Sequence, residues 1–177
     1  ALLAALAVLQ QHGHIGQPLG DAVAHSDRFV RAVPAATRTL VDLGSGGGLP
    51  GLVIAARLPA LQVTLVERRE ARADDLRRAV NRLGLADRIT VITGDVDRVT
   101  GAFEVVTARA FAAPSVTLGV AVRLLTDGGV ALISDPPGDS RQHWREALAL
   151  HGSESPGGAV VDLGAVDGIH RFQRCST

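Results

Sequence analysis

Short apolar runs rich in β-branched residues alternate along this chain with longer amphipathic stretches. Continuous runs of this kind are typical of strands buried on both faces of a sheet. They predict strands over residues 39–43, 62–67, 88–93, 104–108, 129–134, 159–163 and 169–174. The amphipathic stretches between them predict helices over residues 50–58, 70–83, 114–125 and 139–150.

The alternation of strands and helices predicts a parallel sheet wrapped by helices on both faces. The helix over 70–83 is the clearest example, because it has one apolar face, one charged face and a glycine, Gly84, directly after it. The last two strands are too close together for a helix between them. We therefore expect them to pair as an antiparallel hairpin at one sheet edge. Residues 1–38 are predicted to form a helical extension of a single domain spanning 1–177.

Composition narrows the function classes only slightly. The 177 residues are 46% hydrophobic, which is enough for the core of one domain. The 18 basic residues balance 18 acidic ones, so net charge gives no general attraction to nucleic acid or membrane. Cys175 is the sole cysteine, which fits a cytoplasmic protein. The apolar run 1–9 is too short to span a membrane. No His, Cys or Asp residues have zinc-ligand spacing along the chain, so we expect no metal.

A glycine-rich loop follows the first predicted strand and opens the next helix. It reads Val41-Asp42-Leu43-Gly44-Ser45-Gly46-Gly47-Gly48-Leu49-Pro50-Gly51. In open α/β sheets, ligands bind where the strands end and the helices begin. Glycines there allow a tight turn and close approach of the backbone to a ligand. A turn without a ligand is the alternative, which the density of glycines and the flanking acids disfavour.

Two cofactor patterns fit this loop. Gly46-x-Gly48-x-x-Gly51 matches a dinucleotide-binding fingerprint, with Glu67 as the downstream acid. Asp42-x-Gly44-x-Gly46-x-Gly48 matches the S-adenosylmethionine (SAM) pattern, and its carboxylate suits the cationic amino end of a methionine moiety. This second match favours a Rossmann-like SAM-dependent methyltransferase. A nicotinamide-dependent oxidoreductase remains the alternative.

Polar residues after the next three strands are further candidates for the site. Glu67 ends the second strand, where an acid accepts hydrogen bonds from both ribose hydroxyls of either cofactor. Asp95-Val96-Asp97 follows the third strand and is placed either to reach an adenine amino group or simply to be solvated. Arg109 follows the fourth strand and is the best catalytic candidate. It would hold a methionine carboxylate or orient the substrate, unless it is a surface ion-pair partner.

Two segments carry a resemblance to a known family. The residues 42–51 and Ala108-Arg109-Ala110-Phe111-Ala112 resemble the signature segments of the RsmG (GidB) methyltransferases. The resemblance implies a class I SAM-dependent fold and methylation of a guanine N7 in 16S ribosomal RNA. The partner it implies is ribosomal RNA or the small ribosomal subunit. It places cofactor contacts on Gly44, Leu49, Val96-Asp97 and Arg109.

Two features leave the acceptor open. The segment after the fifth strand lacks the family's Lys-Gly, and only His25-Ser26-Asp27 echoes the family's N-terminal histidine. A SAM enzyme acting on a small molecule and a non-catalytic SAM-binding module therefore remain alternatives. Whether the acceptor is RNA or a small molecule, the sulfonium of SAM is already a strong electrophile. We therefore expect catalysis to come from positioning rather than from a nucleophile or a metal.

Overall fold

Seven strands form one sheet in the computed structural model, which describes residues 1–135, 140–151 and 159–175. The strands are β1 (Thr39–Leu43), β2 (Gln62–Glu67), β3 (Ile89–Thr93), β4 (Phe103–Ala108), β5 (Leu125–Ser134), β6 (Ala159–Val166) and β7 (Ile169–Cys175). The helices are α1 (Leu2–Gln11), α2 (Leu19–Ala32), α3 (Gly51–Arg57), α4 (Glu70–Arg82), α5 (Pro114–Leu124) and α6 (Ser140–Leu150), with a 3-10 turn at Val96–Arg98. Asp139, the first residue of the predicted last helix, lies outside the described residues.

The sheet order is β3-β2-β1-β4-β5-β7-β6. The pairs among β1 to β5 are parallel, and β7 runs antiparallel between β5 and β6. This arrangement confirms the predicted α/β class with a mostly parallel sheet and an antiparallel edge pair.

Two apolar cores lie on opposite faces of the sheet. Successive residues of a strand point to opposite faces, and accordingly Leu40 belongs to one core and Val41 to the other. The Leu40 core packs against α1 to α4, and the Val41 core packs against α5 and α6. The helical extension contributes Leu6, Leu9 and Phe29 to the first core, so it is part of the same packed unit as the sheet.

The strand β5 begins four residues before the predicted start at 129. It follows α5 directly, and its register against β4 shifts between Phe103 and Val105. Gly128, with φ of 77°, absorbs this irregularity because glycine accepts a left-handed backbone without a Cβ penalty. The strand β5 therefore continues through Gly128 and Gly129 as a bulged strand.

The edge hairpin is also longer than predicted, because β6 continues past 163. Gly164, with φ of 72°, sits within the register shift between Asp162 and Ala165 and forms a bulge. Asp167 and Gly168 make the turn, both with positive φ as in a type I′ hairpin. No helix in the described ranges has the length and apolar content that crossing a bilayer requires.

Candidate functional site

A cavity of about 430 Å³ lies at the carboxyl ends of β1 to β4. The chain leaves β1 toward β2 on one side, and β4 lies on the other, so this is the topological switch point of the sheet. Ligands of open α/β folds bind in this crevice. The cavity is lined by Gly44, Val66, Glu67, Arg68, Arg69, Arg72, Gly94, Asp95, Val96, Asp97, Ala110, Phe111, Ala112, Val116 and Val120.

Gly44 forms part of the cavity wall, and position 44 requires a glycine for two reasons. Its φ is +65°, and a Cβ built on it would lie 2.9 Å from Cδ2 of Phe111. The loop after it is tied to the sheet, since the Ser45 amide donates to the carbonyl of Val66 over 2.9 Å. A side chain at position 44 would therefore push Phe111 into the cavity.

Glu67 connects the loop to the cavity. It is only 6% exposed, and it lines the cavity at the end of β2. Its Oε2 accepts from the Gly46 amide over 3.0 Å, and its Oε1 accepts from the Arg69 amide over 2.8 Å. A carboxylate has about four lone-pair directions, so acceptor capacity remains for a ligand hydroxyl.

Asp42 lies beneath the loop rather than in the cavity lining. It is fully buried, accepts from Thr107 Oγ1 over 2.7 Å, and accepts from the Gly51 amide over 3.3 Å. Burial raises the pKa of Asp42 to about 6, against the hydrogen bonds from Thr107, Ser45 and Gly51. Its position on the α3 face of β1 explains why the predicted contact with the cofactor's amino end is not seen in the cavity lining.

Three other predicted cofactor residues also lie outside the lining. The Gly46 amide donates a hydrogen bond to the carboxylate of Glu67. Gly48, with φ of +82°, packs its backbone where a Cβ would collide with Leu52. Leu49 is 6% exposed and belongs to the core beneath the loop. Gly48 and Leu49 thus support the loop from the side of α3, whereas the Cβ position of Gly46 faces Arg72 of α4.

Asp95, Val96 and Asp97 do line the cavity, as do Gly44 and Glu67 among the predicted residues. Asp95 and Asp97 are exposed at the rim, whereas Val96 is buried. The Val96 carbonyl accepts from Arg123 over 3.0 Å, which fixes this short 3-10 turn against α5. The two carboxylates are thereby held at the rim of the cavity.

Arg109 is half-buried at the end of β4 and is also absent from the lining. Its Nη1 is buried and finds no hydrogen-bond partner among residues 1–135, 140–151 and 159–175. Burial lowers the pKa of Arg109, and the charge of Asp42 opposes that shift. Buried donors are nearly always paired, so this nitrogen is a candidate for an anionic ligand.

His25 was not among the predicted site residues, and it lies near Arg109 rather than in the cavity lining. Burial and then the charges of Arg109 and Arg28 lower the pKa of His25, so its imidazole lies close to both guanidinium groups. Its Nε2 has no partner within the described part of the chain. The echo of the family pattern at His25-Ser26-Asp27 was the available signal.

Three arginines and one strained alanine also went unpredicted. Arg68 and Arg69 are exposed at the cavity rim, and Arg72 lies on the α4 face that the sequence pattern assigned to solvent. Ala110 lines the cavity with a left-handed φ of 49°. Such a backbone costs about 1–2 kcal/mol outside glycine and concentrates at functional sites.

A second cavity of about 180 Å³ adjoins the first. Both are lined by the short segment 110–112, which therefore forms a shared wall. The second cavity is lined further by Pro114, Thr117, Ile133, Ser134, Asp135 and Trp144. Trp144 is a core residue at 2% exposure, and its Nε1 donates to Asp135 Oδ1 over 2.8 Å.

The model of the GidB family, described as rRNA small subunit methyltransferase G, matches residues 20–138. The chain belongs to this family. The match covers β1 to β5 with both glycine-loop and Arg109 segments, so the resemblance found in the sequence is confirmed.

Relatives named ribosomal RNA small subunit methyltransferase G extend this result. The protein from Kineococcus radiotolerans is 45% identical over 93 residues, covering 51% of this chain and 37% of the relative. The protein from Rhizorhabdus wittichii is 41% identical over 109 residues, or 61% and 49% of the two chains. The protein from Bradyrhizobium diazoefficiens is 36% identical over 165 residues, or 82% and 60%. The family member described here thus spans between about a third and three fifths of these relatives.

Solved structures share the fold at low sequence identity. Cofactor-bound Rv0187 from MTB gives a TM-score of 0.68 at 19% identity, covering 99% of this chain and 90% of that one. An O-methyltransferase from Bacillus cereus in complex with SAH gives 0.66 at 19% identity, covering 97% and 88%. These similarities support the Rossmann-like class I methyltransferase fold.

Proposed function

We propose that this chain is a SAM-dependent methyltransferase that modifies ribosomal RNA of the small subunit. The observation that carries the proposal is the cavity at the switch point, which is lined by Gly44 of the glycine loop and by the buried Glu67 at the end of β2. Family membership supports the activity, and the relatives' printed name supports ribosomal RNA as substrate. The guanine N7 acceptor and the cytoplasmic location rest on the sequence reading.

The residues present fit SAM. Glu67 offers carboxylate oxygens for ribose hydroxyls, and Asp95 and Asp97 offer acceptors for an adenine amino group. Phe111 provides an apolar wall for the base. The unpaired Nη1 of Arg109 provides a donor for the methionine carboxylate, if its side chain turns toward the cavity.

Asp42 also distinguishes SAM from a dinucleotide. A pyrophosphate binds at a helix N-terminus because free amides and the helix dipole favour an anion there. Here the Asp42 carboxylate already accepts from the Gly51 amide at the start of α3. A second anion at this point would be repelled, so the loop disfavours the nicotinamide alternative.

Catalysis would then consist of positioning. SAM supplies an electrophilic methyl group when bound, so a ring nitrogen such as guanine N7 needs no deprotonation. The segment 110–112 would contact the cofactor in the first cavity and the methyl acceptor in the second cavity. Strained Ala110 fixes this wall, and orientation of this kind contributes most of the rate gain in such transfers.

RNA is favoured over a small molecule by the arginines at the rim. Arg68 and Arg69 are exposed beside the cavity and Arg72 lies between them and the loop, so phosphates have three cationic partners despite the balanced net charge. The second cavity favours the alternative, because its 180 Å³ suit a small substrate. Binding of 16S RNA that weakens steeply with added salt would separate the two, since phosphate contacts release counterions.

Calorimetric titration of the chain with S-adenosylhomocysteine is expected to show saturable binding, while NADH gives no heat. The reason is the acceptor-rich cavity together with the anion at the start of α3. A chain that binds the homocysteine compound should then be tested for methyl transfer to 16S RNA and small subunits from a strain that lacks the corresponding methylation. Binding of NADH alone would contradict the proposed cofactor.

Arg109→Ala is expected to weaken binding of S-adenosylhomocysteine by roughly 10- to 150-fold, the effect of losing a charge-assisted hydrogen bond of about 1.5–3 kcal/mol. Arg109→Lys retains the charge but loses the planar fork, so its loss should be smaller. Arg145→Ala, on the exposed face of α6, is the matched control and should bind as the unchanged chain does. If all three variants bind S-adenosylhomocysteine with equal affinity, Arg109 does not contact the cofactor.

A further inference from the structure

Two histidines at the end of α1 are fixed by the backbone of the helix terminus. The Gly13 amide donates to the Gln10 carbonyl over 2.9 Å, and the His14 amide donates to the Leu9 carbonyl over 3.0 Å. This pair of bonds is a Schellman cap, with Gly13 in the left-handed conformation at φ of 74°. The cap reverses the chain between His12 and His14 and brings both imidazoles to the same side, facing α4.

Both imidazoles meet one carboxylate there. His12 Nδ1 lies 2.8 Å from Asp75 Oδ2, and His14 Nε2 lies 2.8 Å from the same oxygen. One donor atom from each of the three residues lies within 4.8 Å of the others. The His14 and Asp75 side chains are 11% and 13% exposed, while that of His12 is 48% exposed, so one side remains open to solvent.

The carboxylate is held in place from behind. Arg78 Nη1 donates to Asp75 Oδ1 over 2.6 Å, which leaves Oδ2 for the imidazoles. Partners of this outer kind orient metal ligands in many sites. The charge of Arg78 opposes a cation only weakly, because its side chain is 71% exposed and screened by water.

We propose that His12, His14 and Asp75 form a binding site for a divalent transition metal of the Zn²⁺ type. Two imidazole nitrogens and one carboxylate oxygen are borderline donors that suit zinc, and three protein ligands leave a position for water. Zinc bonds of about 2.0–2.2 Å at tetrahedral angles separate ligand atoms by about 3.4 Å. The two 2.8 Å separations need to open by only about half an ångström, with the shared protons released.

The site lies behind the glycine loop and not in the cavity. A Cβ built at Gly47 would lie 2.8 Å from the His14 carbonyl oxygen, so the His14 backbone rests against the loop. A metal here would clamp the end of α1 to α4 and support the loop from outside. Spacing along the chain gave no sign of it, because Asp75 is 61 residues from His14.

Titration of tag-free, chelator-treated protein with Zn²⁺ tests the proposal. We expect 1:1 binding by calorimetry, and a Tm rise of about 5–10 °C at a free Zn²⁺ concentration near 100 times Kd. Co²⁺ should give the d–d absorption of a low-coordinate N,O site. The double variant His12→Gln, His14→Gln retains donors for Asp75 but offers poor ligands. It should lose more than the 10–100-fold that removal of an outer partner costs.

Asp74→Asn is the matched control for Asp75→Asn. Asp74 sits one position earlier on α4 and pairs with Arg77 over 2.8 Å, as Asp75 pairs with Arg78. Asp75→Asn should weaken Zn²⁺ binding while Asp74→Asn leaves it unchanged, and circular dichroism of the metal-free variants checks the fold. Absence of saturable Zn²⁺ or Co²⁺ binding overturns the proposal, as does binding that survives in the double histidine variant.

Discussion

Glu67→Ala is expected to weaken binding of S-adenosylhomocysteine by at least about 100-fold. The substitution removes the acceptor that faces the cavity and leaves the Gly46 and Arg69 amides without their partner. A hydrogen bond to a charged group contributes about 1.5–3 kcal/mol, so two such bonds to ribose hydroxyls account for at least about 2.7 kcal/mol, which corresponds to 100-fold in affinity. Calorimetry with S-adenosylhomocysteine measures the loss directly.

Two further variants sharpen this test. Glu67→Gln retains one acceptor oxygen and should lose about tenfold, the share of a single hydrogen bond. Glu70→Ala removes an exposed acid three residues further along, at the start of α4, and should bind within about twofold of the unchanged chain. If Glu67→Ala binds as tightly as Glu70→Ala, Glu67 does not belong to the cofactor site.

Asp42→Asn is expected to change how the free energy of unfolding depends on pH. The folded-state pKa of Asp42 is about 6, above the ordinary 3.8 that applies to the unfolded chain. Below pH 4 both states hold the proton, but as pH rises toward 6 the unfolded state ionises first. The contribution of Asp42 to stability is therefore full below pH 4 and lost as pH rises through 6, by about 3 kcal/mol for the two-unit difference.

Asparagine does not ionise, so its variant should lack this loss. Its amide oxygen can accept from the Gly51 amide while its nitrogen donates to Thr107 Oγ1. The free energies of unfolding, measured by urea denaturation from pH 4 to 7, should diverge by about 3 kcal/mol in favour of Asp42→Asn. Parallel curves for the two proteins would contradict a raised pKa.

Asp42→Ala completes the set. It leaves the Gly51 amide and the Thr107 hydroxyl unpaired in the core, so the loop that carries Gly44 loses its anchor. We expect cofactor binding to disappear while the rest of the fold persists. An alanine variant with normal affinity would contradict the assignment of the loop.

The strands were largely predictable because β-branched runs mark buried parallel strands. The predicted bounds were too short where a left-handed glycine lies within the strand: Gly128 and Gly164 lie in bulges within β5 and β6. A bulge and a turn use the same left-handed glycine, and only the pairing partner distinguishes them.

The candidate site was predictable to the extent that its residues follow strands directly. Gly44, Glu67, Asp95 and Asp97 line the cavity because the carboxyl ends of parallel strands share one edge. Asp42 lies beneath the loop because of its strand position, and its contact with the cofactor stays a prediction. His25 and Arg72 come from helices whose packing against the sheet leaves no local signal in the sequence.

The segment 110–112 separates two cavities that are otherwise lined by different parts of the chain. Among the residues that the structure describes, only Ala110, Phe111 and Ala112 line both cavities, whereas Ile133 of β5 and Trp144 of α6 line the second cavity alone. A lineage could therefore acquire a different methyl acceptor while its donor half stays recognisable. In the proposed enzyme, Ile133, Ser134 and Trp144 are then the positions at which the choice of acceptor would change.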